Sequence, residues 1–114
     1  MADAAMARIQ ADPHLKELLA SLRGRLDALG SYEMQARKSS LHFVRGTGFL
    51  SVRAVAGGLL LTIVSNARID GARVRSSGQA SEHRTHNEVV VSDVNDFDDE
   101  LDGWLGMAYA LAGG

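Results

Sequence analysis

The segment from Ser39 to Val64 limits the fold more than any other part of the chain. "SSLHFV" and "FLSVRAV" alternate apolar and polar residues, "RGTG" joins them, and "LLLTIV" follows Gly57-Gly58. Period-two alternation marks a strand with one buried face. A Gly-Gly pair between two such runs is a hairpin signal, because both central positions tolerate positive φ. Register follows from the need for apolar side chains to share a face. Pairing Val44 with Phe49 and Ala56 with Leu59 meets it. Leu41, Phe43, Leu50, Val52, Ala54, Leu59, Leu61 and Ile63 then form a core face. The other face carries Lys38, Ser40, His42, Ser51, Arg53 and Thr62, surrounded by Val44, Phe49, Val55, Leu60 and Val64.

Helices flank this sheet. Asp12-Pro13 is a helix start, since Asp caps free N–H groups and Pro suits the first helical position. Leu15, Leu18, Leu19, Leu22, Leu26 and Leu29 recur at helical spacing, and Gly30 is placed to end the helix in a left-handed conformation. "HNEVVVS" reads as the last strand. Asp96 with Asp99 or Glu100 suggests a capping box opening a final helix, whose stripe is Phe97, Leu101, Trp104, Leu105, Ala108 and Leu111. Residues 66–82 are polar and read as a loop, with a short strand over Ala72–Arg75. The expected fold is α+β: an antiparallel sheet of about four to five strands with N- and C-terminal helices packed on one face. Residues 1–11 read as an N-terminal extension able to form a short helix. Residues 12–112 read as the single domain, and 113–114 as a disordered tail. A chain of 114 residues fits one such domain.

The chain has no cysteine, which removes disulfide and thiolate chemistry. "MADAAMARIQADPHL" has no cationic start followed by an apolar run, so a signal peptide is not expected. The longest apolar run, Leu59–Val64, is too short for a membrane span. These features point to a cytoplasmic protein. Charge is uneven along the chain. Arg37, Lys38, Arg45, Arg53, Arg68, Arg73, Arg75 and Arg84 dominate the middle, whereas Asp93, Asp96, Asp98, Asp99, Glu100 and Asp102 close the chain. The basic bias is too mild for a nucleic-acid-binding domain, and exposed aromatic residues for base stacking are few.

The acidic run lacks the central glycine of a calcium loop and suits a helix start, where carboxylates meet the positive end of the dipole. His83 and His86 point to opposite faces if they lie on a strand, so they do not make a metal site. No nucleophile elbow, glycine-rich phosphate loop or cofactor motif is present. The polar sheet face is the remaining candidate. Arg supplies a planar fork and Lys a point charge, and with hydroxyls they suit a carboxylate or phosphate. Against this stands the ordinary polarity of a solvated sheet face. The apolar surround suits a ligand pocket, a homodimer contact, or a cover formed by residues 66–82.

"KSSLHFVRGTGFLSVRA", "GGLLLTIV", "RTHNEVVV" and "FDDELDGWLGMAYA" together resemble the bacterial domain-of-unknown-function family 5655, over about Leu15 to Ala112. The final segment is the most specific piece. The family pattern opens the first strand with a lysine and the last with a histidine, which Lys38 and His86 match. An aromatic residue often precedes that histidine, whereas this chain has Arg84 and Thr85. The resemblance implies the fold and adds Lys38 and His86 as candidates. It implies no activity, although the family occurs in some predicted transport proteins.

The leading reading is a non-catalytic binding module that takes an anionic small molecule or an acidic protein surface. Its candidate residues are Lys38, Ser40, His42, Arg53, Thr62 and His86. An enzyme using His42 or His86 as acid or base is the alternative. A nucleic-acid module built on Arg68, Arg73, Arg75 and Arg84 comes third.

Overall fold

The structure, a computed structural model, describes residues 4–113. The alternating segment forms β2 (Leu41–Arg45), β3 (Thr47–Val55) and β4 (Gly58–Ser65). Leu41, Phe43, Leu50, Val52, Leu59, Leu61 and Ile63 are all buried, as the alternation requires. Two details of register differ from the sequence reading. Val44 pairs with Gly48, so Phe49 is an extra residue in a β-bulge. The bulge turns Phe49 from the polar face into the core, where it meets the Tyr109 ring edge-on at 5.6 Å. At the second hairpin Val55 pairs with Gly58, so Ala56-Gly57 is the turn rather than Gly57-Gly58. Of Gly57 and Gly58, only Gly57 has positive φ, 77°. Gly58 is needed for another reason: a Cβ there would collide with the Val91 carbonyl of the neighbouring strand. The pairing therefore slips by two residues, which leaves every side chain on its expected face.

The sheet has six strands, not four or five, in the order β1-β2-β3-β4-β6-β5. β1 (Glu33–Ala36) pairs antiparallel with β2 and is too short to show a period in sequence. β5 (Val74–Ser81) occupies most of what reads as a loop, and the expected strand at Ala72–Arg75 is displaced towards the C-terminus. It is an edge strand, and its polar residues reflect exposure rather than irregular structure. β6 (Arg84–Val91) returns between β5 and β4. The connection over residues 66–73 must therefore pass beyond β6. Buried Asn87 holds it there: its Oδ1 accepts from Ile69 N (3.1 Å) and Ser77 Oγ (2.8 Å), while its Nδ2 donates to Ile63 O (3.0 Å) and Ser65 Oγ (2.8 Å).

Three helices pack against the apolar side of the sheet. α2 (Pro13–Leu29) starts as expected, with Asp12 Oδ1 accepting from His14 N at 2.9 Å. Leu15, Leu18, Leu19, Leu22 and Leu26 are buried, but Leu29 is exposed and Gly30 has φ 141°, outside the left-handed helical region. α3 (Asp99–Gly113) buries Leu101, Trp104, Leu105 and Ala108. Its cap is Asp98, not Asp96: Asp98 Oδ1 accepts from Leu101 N at 3.0 Å. The capping box exists, but Asp93 and Asp96 form it on the 3-10 turn Val94–Asp96. α1 (Ala4–Gln10) buries Ala5 and Ile9 in the same core. Gly113 belongs to α3, whereas Met1–Asp3 of the N-terminal segment and Gly114 of the tail lie outside the described residues.

Candidate functional site

Because the helices cover one side, the other side of the sheet is open. On it the register aligns Gln35, His42, Ser51, Thr62, Glu88 and Ser76 directly opposite one another across all six strands. Leu60, Val64 and Val90 flank this polar row. His86 lies beside Val64, and Arg53 lies opposite Leu60. His42, Ser51, Thr62, Val64 and His86 line a shallow cavity of about 140 Å³. His42 Nε2 is 2.8 Å from Ser40 Oγ. Burial, with the Arg37 charge nearby, lowers the His42 pKa below its ordinary 6.5, so the ring is neutral at neutral pH.

A second cavity, of about 330 Å³, opens at the end of β3. The first β2 residue, Leu41, pairs with Val52, so Arg53 and Ala54 extend beyond the β2–β3 ladder. The 37–40 turn closes one side, with Arg37 N donating to Ser40 O at 3.0 Å. α1 closes another, tied by Ala5 N to Arg37 O at 3.2 Å. Arg8, Lys38 and Arg53 line the notch with Ala4, Ser39 and Ala54. Among the described residues, no ion pair involves any of these three cations.

The six expected residues thus divide between two neighbouring places. Lys38 and Arg53 belong to the cationic notch, and His42, Thr62 and His86 to the cleft. Ser40 lies between them through its contact with His42. Two placements change. Lys38 sits in the turn before β2 rather than on the strand, and Arg53 faces Leu60 while Thr62 faces Ser51. Arg8 is the residue that sequence reasoning missed. The signal was available, since Ala5 and Ile9 at i, i+4 mark a buried helical face next to it.

Two other arginines have internal partners. Arg73 donates to Asp98 (2.8 Å) and to the Asp96 carbonyl (2.6 Å), and Arg25 to Asp102 (2.6 Å) and the Phe97 carbonyl (2.6 Å). The acidic run is therefore occupied with helix starts and with two arginines. Arg73 is also withdrawn from any nucleic-acid patch.

A family model described as a domain of unknown function (DUF5655) matches residues 6–112, nearly the whole chain. No curated protein and no solved structure matches it.

Proposed function

This chain belongs to the DUF5655 family, a family of unknown function, and we propose from its own geometry that it is a non-catalytic anion-binding module. The observation that carries this reading is the convergence of Arg8, Lys38 and Arg53 on one cavity, from three separate segments and without a carboxylate partner among the described residues. Like charges held together without compensation cost stability, and an incoming anion relieves that cost. Two guanidinium forks and one ammonium suit oxyanions. The same cations would accept an acidic side chain presented by a protein partner.

Thermal unfolding at low ionic strength tests this reading. Phosphate, diphosphate and citrate are compared with chloride at matched ionic strength. An anion that binds only the folded state stabilises it by about 2.7 kcal/mol at a hundred times its Kd. The melting temperature should rise with phosphate in the wild type and much less in Arg53→Ala, Lys38→Ala and Arg8→Ala. A wild type that responds to none of these anions refutes the reading.

The Ser40–His42 contact supports one alternative, a hydrolase with Ser40 as nucleophile and neutral His42 as base. Such a base needs a group to orient its other nitrogen, and among the described residues no hydrogen bond to His42 Nδ1 is found. Covalent labelling by a fluorophosphonate probe in the wild type, lost in Ser40→Ala, would favour the enzyme.

A further inference from the structure

We infer that the ligand is a hydroxyl-rich organic phosphate, such as a sugar or polyol phosphate, with its phosphate in the notch of Arg8, Lys38 and Arg53 and its hydroxyls in the cleft of His42, Ser51 and Thr62. The inference rests on the anion-binding reading above and assigns a chemical class to it.

The phosphate follows from charge and acceptor count. A single carboxylate brings one charge and two oxygens, which leaves part of a three-cation notch uncompensated. A phosphate monoester carries about −1.5 to −2 at neutral pH and presents three acceptor oxygens, enough for separate groups approaching from α1, the turn and β3. Arg8 and Arg53 can each bind two oxygens, with Lys38 as the point charge. The rest of the lining, Ala4, Ala5, Ser39 and Ala54, is small and leaves room for the anion between them.

The hydroxyl-bearing remainder follows from what lies next along the sheet. Arg53 and Ser51 project to the same face of β3, about 7 Å apart at the usual rise of an extended chain. Ser51 faces Thr62 and His42 across the neighbouring strands. The cleft thus offers two hydroxyls and an imidazole, all of which can donate or accept. His42 is neutral at neutral pH, so its ring brings no charge to recruit a second anion. No Phe, Tyr or Trp lines either cavity, so a nucleobase would find no ring to stack on. Val64 supplies apolar contact beside the polar row. This matches the usual make-up of a site for a small polar molecule.

Calorimetric titration of the full chain with inorganic phosphate, ribose 5-phosphate, glucose 6-phosphate and free glucose, at one ionic strength, tests the inference. At least one sugar phosphate should bind about tenfold or more tightly than inorganic phosphate. That preference should collapse towards one in Thr62→Val and in Ser51→Ala, two variants whose unliganded melting temperatures verify their folding. A sugar phosphate that binds no better than inorganic phosphate overturns this inference and leaves the anion module standing. A preference that survives in both variants overturns it as well, because the hydroxyls would then lie elsewhere. Absence of binding by every phosphate overturns this inference, and the anion module falls with it when citrate also fails to raise the melting temperature.

Discussion

At the scale of single residues, Asn87 is the most demanding position in the molecule. It sits on a strand whose other inward residues include Val89 and Val91, yet it is polar and fully buried. Such a group is tolerated only when it is hydrogen-bonded, and Asn87 satisfies backbone and side-chain partners on both neighbouring strands and on the connection before β5. Removing it strands the Ile69 N–H and the Ser77 hydroxyl, and takes from the Ser65 hydroxyl one of its two partners, the other being the Ala67 carbonyl. Asn87→Ala is therefore expected to cost about 1–3 kcal/mol, the usual penalty for orphaned buried polar groups. Urea unfolding measures this as a lower midpoint with an unchanged slope. In the sequence Asn87 looks like an ordinary polar residue of an alternating strand. Only its phase, level with the inward valines, betrays that it points into the core.

At the scale of elements, the start of α3 shows why a correct pattern can be read two residues early. Asp93, Asp96 and Asp98 all suit a cap, and the sequence does not say which of them ends the preceding turn. In the structure Asp96 closes a box with Asp93, which leaves Asp98 for the helix. The Leu101 N–H, with help from Arg73, holds the Asp98 carboxyl below its ordinary pKa of 3.8. A carboxylate with a depressed folded pKa adds stability above its unfolded value, and that contribution fades as the pH falls through the folded value. Asp98→Ala should therefore melt lower than the wild type near neutral pH. The gap should narrow as the pH drops below 3.8, where the wild-type carboxyl protonates. Parallel melting curves at neutral and strongly acidic pH test it, and a gap independent of pH would contradict the assignment of the cap. β5 hid from the sequence for a related reason. As an edge strand it needs few apolar residues, so "VRSSGQAS" has the composition of a loop while β6 supplies its ladder.

At the scale of the whole molecule, the core face was legible because side chains on strands repeat every two residues. A pairing slipped by two residues at the second hairpin still puts Leu59, Leu61 and Ile63 inside and Thr62 outside. What does not survive such a slip is which residue faces which. The candidate site depends on that opposition and on α1, which the sequence presents only as an alanine-rich start. A helix of seven residues is not stable alone, so α1 must be held by packing. Ile9 is fully buried in the cluster that includes Leu22, Val52 and Leu105, and it stands next to Arg8 of the notch. Ile9→Ala should then cost about 2–5 kcal/mol, as for other large-to-small changes in a core. If α1 belongs to the cooperative unit, Trp104 fluorescence on α3 and far-ultraviolet circular dichroism will report one shared transition at lower denaturant. Were α1 only docked on a self-sufficient domain, the Trp104 transition would stay in place while part of the helical signal was lost. The shared shift would also make the cationic notch a product of the complete fold, since Arg8 reaches it only when Ile9 is seated.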